Sequence, residues 1–132
     1  MAEENNIKIA VVDDHHLFRD GLKRLVESLG EKYVVNISAG NGKEFLAQLD
    51  TGNLPDIVLL DINMPEMNGL DMVRAIKNQG KYLGPIMMLT TEGDLSVIEK
   101  GRALGVSCWL VTPFEPVVLL SAIDKLLTPK EA

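Results

Sequence analysis

The sequence contains a single cysteine, Cys108, a single tryptophan, Trp109, and only 13 basic side chains against 19 acidic ones. Each scarcity excludes something. One cysteine cannot form an internal disulfide, and Cys108 sits in an apolar run, so a buried, inert thiol in a reducing cytoplasm is expected. A formal net charge of −6 argues against direct contact with nucleic acid, which needs clustered Lys and Arg to neutralise phosphates. Nor is there an apolar run approaching the roughly 20 residues of a membrane span. The first residues, Met1 to Asn6, are polar and acidic and do not resemble a signal peptide.

What is present suits one globular domain: 132 residues, 46% of them hydrophobic, enough for a core and too apolar for a disordered chain. Short apolar runs alternate with longer amphipathic stretches. Strands are predicted at Ile7–Val12, Tyr33–Ser38, Asp56–Asp61, Pro85–Thr90 and Val106–Val111. Helices are predicted at Leu17–Leu29, Gly42–Leu49, Leu70–Asn78, Leu95–Leu104 and Pro116–Leu127, with Pro116 tolerated in a first turn. In the first helix Phe18, Leu22, Leu25 and Leu29 form the expected inner face. Phe45, Leu46 and Leu49 do so in the second, and Leu70, Val73 and Ile76 in the third. In the last, Val117, Leu120, Ile123 and Leu127 are expected to face the sheet, with Val118, Leu119 and Leu126 at its flanks. Five strands alternating with five helices imply an α/β protein with a parallel sheet covered on both faces. Continuous apolar runs such as Ile57-Val58-Leu59-Leu60 support that, because strands buried on both faces need no alternation.

Ligands of open parallel sheets bind beyond the carboxyl ends of the strands, where strand order reverses. Asp13 and Asp14 end the first strand, Asp61 the third, and Thr90 and Thr91 the fourth. If the first and third strands are neighbours, the three carboxylates converge. They would repel one another unless a cation sat among them. A hard divalent ion takes oxygen ligands, and a carboxylate beside it can act as a nucleophile towards phosphorus. Taken singly, an aspartate at a strand end is more often a turn former or a cap, and Asp13-Asp14 could cap the first helix. The coincidence of all three groups on one edge favours the chemical reading.

These residues resemble a known family. Val11-Val12-Asp13-Asp14, Leu59-Leu60-Asp61-Ile62-Asn63-Met64-Pro65-Glu66-Met67-Asn68-Gly69 and Met88-Leu89-Thr90-Thr91 look like the pattern of response-regulator receiver (CheY-like) domains of two-component signalling, in order and over nearly the whole chain. The resemblance implies a flavodoxin-like sheet of order 2-1-3-4-5 with five flanking helices, the receiver spanning residues 7–128 between a disordered tail at 1–6 and a short tail at 129–132. It implies that Asp61 is the phosphoacceptor. Asp14, Asp61 and the Asn63 carbonyl would ligate Mg²⁺ (or Mn²⁺), with Asp13 acting through a bound water. Thr90 would be the hydroxyl that moves to the phosphoryl group, and the Thr91 backbone N–H a second donor. Asn63 and Glu92 stand where the family tunes the lifetime of the phosphoryl group, and Trp109 at its aromatic switch position. For Trp109, simple edge-strand packing is an equally good reading. The implied donor is a histidine kinase or phosphotransfer protein. The implied output is docking on another protein, a homodimer through the face of the fourth helix, fifth strand and fifth helix, or a place in a phosphorelay. The run from Asp13 to Leu22 resembles receivers that carry a DNA-binding domain, so an excised receiver is one expectation.

One family residue is replaced. The fifth strand normally ends in Lys-Pro, and here Thr112-Pro113 stands. A hydrogen bond to a charged partner contributes about 1.5–3 kcal/mol, so its loss should weaken capture of the phosphoryl group or uncouple it from switching. Thr112 therefore keeps open a receiver-like interaction module that phosphorylation does not switch. A flavin or nucleotide site is disfavoured because an acidic pair, not a glycine-rich loop, follows the first strand. An aspartate-nucleophile phosphatase would need Asp-x-Asp where Asp61-Ile62-Asn63 stands. His15 and His16 could ligate a metal, but oxygen ligands suit the pocket better. An exposed position at the helix start is expected for both. Met64 and Met67 read as loop packing.

Overall fold

The computed structural model of the chain describes residues 6–52, 54–61, 69–80, 84–90, 95–111 and 115–127. Along it run β1 (Ile7–Val12), α1 (His16–Ser28), β2 (Tyr33–Ala39), α2 (Gly42–Asp50), β3 (Ile57–Asp61), α3 (Gly69–Gln79), β4 (Ile86–Thr90), α4 (Leu95–Ala103), β5 (Cys108–Val111) and α5 (Pro116–Leu127). All five strands are parallel, in the order β2-β1-β3-β4-β5. This is the expected flavodoxin-like sheet, with its reversal of order between β1 and β3.

Alternation along the strands splits the core into two layers. Ala10, Val12, Val58, Leu60, Ile86 and Met88 point to one face, where Phe45 and Leu49 of α2 and Val73 and Ile76 of α3 cover them. Ile9, Val11, Ile57, Leu59, Met87 and Leu89 point to the other, beneath Leu22 and Val26 of α1 and Leu119 and Ile123 of α5. Both faces are covered, which is why the strands carry near-continuous apolar runs.

Two helices are rotated relative to expectation. In α1 the buried pair is Leu22 and Val26, and Phe18 is 41% exposed. In α5 the buried pair is Leu119 and Ile123, with Leu120, Leu126 and Leu127 partly buried, while Val117 and Val118 are exposed. Both sequences allow more than one apolar stripe at helical spacing, so periodicity alone leaves the rotation open. The sheet selects the i, i+4 pair that interdigitates with its own side chains.

Local signals fix several boundaries. Asn41 caps α2, its Oδ1 accepting the Glu44 N–H at 2.9 Å, and Glu44 Oε2 accepts the Gly40 N–H at 2.5 Å. This reciprocal arrangement is close to a capping box. Asp56 lies just outside β3 and is bonded both ways to Lys8: Lys8 N–H donates to Asp56 Oδ2 at 2.8 Å, and Asp56 N–H to Lys8 O at 2.6 Å. β2 carries one extra residue, since Ile9 pairs with Val35 but Ala10 with Ile37. No helix among the described residues is long and apolar enough to cross a membrane.

Tyr33 ties the edge of β2 to α5, its hydroxyl donating to Asp124 Oδ1 at 2.7 Å. Burial, then the Asp124 hydrogen bond and charge, push its phenol up to about 12. The folded state thus favours the neutral phenol. That stabilisation is fully present below the unfolded value near 10 and is lost as pH rises through the folded one. We expect the urea midpoint of the wild type to fall between about pH 9.5 and 12 and that of Tyr33→Phe to fall less. Parallel losses in the two proteins would contradict this.

Candidate functional site

The carboxyl ends of β1 and β3 lie side by side. Val12 is opposite Leu60 in the ladder, so Asp13 and Asp61, one step further, reach the sheet edge together. The Asp13 N–H donates to Ala39 O at 3.1 Å and so extends the pairing of β1 with β2. Arg19, from the second turn of α1, donates from Nη1 to the Asp13 carbonyl at 2.7 Å and holds the β1–α1 turn. Gly40 leaves room for it, since a Cβ there would stand 3.0 Å from Arg19 Nη1.

Three carboxylates converge as the sequence reading anticipated. Asp13, Asp14, Asp61 and His15 each offer a ligand atom within 4.8 Å of the others. Asp13 is only 1% exposed, and the Asp14 and Asp61 side chains are 25% and 14% exposed. A buried carboxylate normally has its oxygens satisfied, yet Asp13 Oδ2 has no hydrogen-bond partner among the described residues, while Asp14 Oδ1 lies 3.1 Å from His15 Nδ1. A buried oxygen without a partner, among carboxylates that repel one another, belongs to a donor set that a hard divalent cation fits.

His15 is placed differently from expectation in one respect. It is the N-cap residue of α1 and makes no side-chain cap bond, and its side chain is 67% exposed. Both agree with an exposed helix-start position. Its Nδ1, however, turns inward: 3.1 Å from Asp13 Oδ1, 3.1 Å from Asp14 Oδ1 and 3.7 Å from Asp61 Oδ2. The cause is local. The His15 N–H donates to Asp13 Oδ1 at 2.8 Å, a tight Asx-type turn that brings the ring back over the carboxylate two residues earlier. The hydrogen bond to Asp13, with the charges of Asp14, Asp13 and Asp61, raises the imidazole above the ordinary histidine range. His16 points away, with Nε2 3.4 Å from Asp20 on the next turn.

The sequence reading missed the inward turn of His15 and the latch made by Arg19. The Asp-x-His spacing carried a signal for the first. Nothing in the sequence separated Arg19 from Arg24.

Thr90 ends β4 opposite Val111, so its backbone arrives at the same edge; its side chain lies outside the described part. Asn63, Thr91, Glu92 and Thr112, with Met64 and Met67, also lie outside the described residues. Trp109 is partly buried against the core layer of α2 and α3, with its ring on Gly101 of α4. A Cβ at Gly101 would overlap Trp109 Cζ2 and lie 2.7 Å from Cη2. Cys108 is half-buried rather than fully buried, because β5 is an edge strand. Burial pushes its thiol up, which keeps it protonated and unreactive.

Comparison with known proteins agrees with this geometry. A family model described as the response regulator receiver domain matches residues 9–124. The chain is 34% identical over 122 residues to the chemotaxis protein CheY1 of Helicobacter pylori, covering 92% of this chain and 97% of that one. It is 36% identical over 117 residues to the transcriptional regulatory protein YdfI of Bacillus subtilis, covering 89% of this chain and 53% of that one. The structure of the chemotaxis protein CheY4 of Vibrio cholerae superposes with a TM-score of 0.84 at 35% identity, covering 92% of this chain and 99% of that one.

Proposed function

The chain belongs to the response regulator receiver family of two-component signalling, and we propose that it works by accepting a phosphoryl group on Asp61 beside a divalent cation held by Asp13, Asp14 and Asp61. Receiver domains are signalling domains rather than conventional enzymes. The observation that carries the proposal is the convergence of three carboxylates at one sheet edge, one of them fully buried with an unsatisfied oxygen.

A carboxylate oxygen of Asp61 attacks the phosphorus of a phosphohistidine or a small acyl phosphate. The P–O bond to Asp61 forms as the bond to the donor breaks, and the donor leaves with the electron pair. Asp13 and Asp14 would hold the cation, and Arg19 and the Asx-type turn fix the loop that carries them. Mg²⁺, when bound, offsets the charge of the carboxylates and draws charge from the incoming phosphoryl oxygens. In this reading the Asn63 carbonyl completes the cation's protein ligands, the Thr90 hydroxyl and Thr91 N–H receive phosphoryl oxygens, and Asn63 and Glu92 set the lifetime of the acyl phosphate.

Leu17, 85% exposed, and Phe18 stand in the first turn of α1, directly after the turn that carries Asp13 and Asp14. That apolar rim suits contact with a histidine kinase or phosphotransfer protein. Val111 at the end of β5 and Val117 and Val118 at the start of α5 are also exposed. Exposed apolar residues at the end of β5 and the start of α5 suit contact with an output protein or a second copy of the chain. Trp109 lies in β5 and would report the switch.

Incubation with acetyl phosphate tests the proposal by intact mass. One phosphoryl group should be gained with Mg²⁺ and none with a chelator; no gain under either condition would refute it. Thr112 bears on the strength of the response. Thr112→Lys supplies an ammonium that can pair with a phosphoryl oxygen, an interaction of about 1.5–3 kcal/mol. It should enlarge the Trp109 fluorescence change on adding beryllofluoride with Mg²⁺. Equal changes in the two proteins would sink the idea that Thr112 weakens the response, whereas no phosphoryl gain at all would favour the second reading that Thr112 motivates, an interaction module that phosphorylation does not switch.

A further inference from the structure

We propose that His15 joins Asp13, Asp14 and Asp61 as a fourth side-chain ligand of the acidic pocket, giving it a nitrogen donor that admits borderline divalent ions of the Ni²⁺ class alongside Mg²⁺. The inference rests on the reading of Asp13, Asp14 and Asp61 as cation ligands and adds to it a residue and a metal class.

The geometry points to a shared ion. Around an ion bound at about 2.1 Å, adjacent ligand atoms stand about 3.0 Å apart. Nδ1 of His15 stands 3.1 Å from oxygens of both Asp13 and Asp14, and 3.7 Å from Asp61. All four ligand atoms already lie within 4.8 Å of one another, so the side chains need to close only modestly to share one ion. The His15 N–H on Asp13 fixes the turn, the ring itself rests on the Asp13 and Asp14 carboxylates, and it does no work as a cap for α1. Asp13 supplies the independent sign of a missing ligand, being 1% exposed with Oδ2 unpartnered among the described residues.

Chemistry then sets the metal class. Three carboxylates alone suit Mg²⁺ or Mn²⁺, whereas imidazole suits Zn²⁺, Cu²⁺, Fe²⁺ and Ni²⁺. Ligation through Nδ1 uses the lone pair of the neutral ring, leaves the proton on Nε2, and releases any second proton to solvent. Mg²⁺ has little use for that nitrogen and can bind through oxygens alone. The pocket therefore carries two overlapping sets of side-chain donors, three carboxylates for a hard ion and the same three carboxylates with one imidazole for a borderline ion.

Calorimetric titration of Ni²⁺ and Mg²⁺ into the apo protein tests this. His16→Ala serves as the reference, because His16 with Asp20 could chelate Ni²⁺ independently. Adding His15→Ala should weaken Ni²⁺ by at least the roughly tenfold that loss of even an outer-sphere partner causes. Mg²⁺ affinity should be kept or tightened, and retained Mg²⁺ binding also shows that the variant is folded. Unchanged Ni²⁺ affinity with Mg²⁺ bound overturns the inference and leaves the proposed function standing. So does tightening of both ions, which would make His15 a counter-ion that metals displace. A parallel loss of both ions overturns it too, by making His15 a scaffold residue. If neither ion binds the reference protein, the proposed function and this inference fall together.

Discussion

Replacing Gly101 by alanine should drive Trp109 from its place and destabilise the protein. The new methyl would overlap Trp109 Cζ2 and stand 2.7 Å from Cη2. That separation is far inside van der Waals contact, and the obstacle is a rigid fused ring rather than the end of a flexible chain. The ring must rotate about its first two torsions, or α4 must move away from β5. Overpacking of this kind costs about 1–3 kcal/mol. Trp109 is the only tryptophan, so its emission should shift to longer wavelength as the indole becomes wetter, with a lower urea midpoint. A cycle with Trp109→Ala separates the causes: the Gly101→Ala penalty should largely vanish in the alanine background. Unchanged emission and midpoint would show that the ring does not rest on Gly101. An outward tryptophan imposed from α4 should also blunt the fluorescence response to beryllofluoride, since the ring would already have moved.

The second large effect is expected at Asp61. Asp61→Asn keeps the shape of the side chain and removes both the nucleophile and one of three converging charges. Metal-dependent phosphoryl uptake should fall to nothing, because the amide offers no oxygen that can form the acyl phosphate. The fold should not suffer. In the absence of metal, removing one carboxylate from a cluster whose ligand atoms lie within 4.8 Å relieves like-charge repulsion. The chelator-treated variant should therefore match or exceed the wild type in urea midpoint. Mg²⁺ should bind it more weakly. Continued uptake of a phosphoryl group by Asp61→Asn would transfer the acceptor role to another residue. A marked loss of stability would make Asp61 a structural residue first.

Much of the fold was legible because its signals are redundant. Runs such as Ile57-Val58-Leu59-Leu60 mark strands buried on both faces, and the acidic ends of the first and third strands mark the sheet edge. What the sequence could not fix was rotation about helix axes. Val117 was expected to face the sheet and Leu119 to lie at a flank, but the sheet buries Leu119 and leaves Val117 and Val118 out. The bulge at Asn36 was also invisible, because a single polar residue within a β-branched strand carries no signal of its own that the register shifts there. At the site, Asp13, Asp14 and Asp61 could be named from strand ends alone. The direction of His15 could not, since it depends on a two-residue turn and not on any periodicity. Cys108 looked buried from its apolar neighbours, but edge-strand placement leaves it half-open.

The central claim is that the carboxylate of Asp61 forms the acyl phosphate. Borohydride reduction of the protein after incubation with acetyl phosphate and Mg²⁺, followed by peptide mass mapping, reads the acceptor directly. Reduction cleaves an aspartyl phosphate and leaves an alcohol in place of that one carboxyl. We expect the reduced side chain at position 61 alone, and only when Mg²⁺ was present. Reduction at Asp13 or Asp14, or none anywhere with the phosphoryl mass retained, would contradict the account.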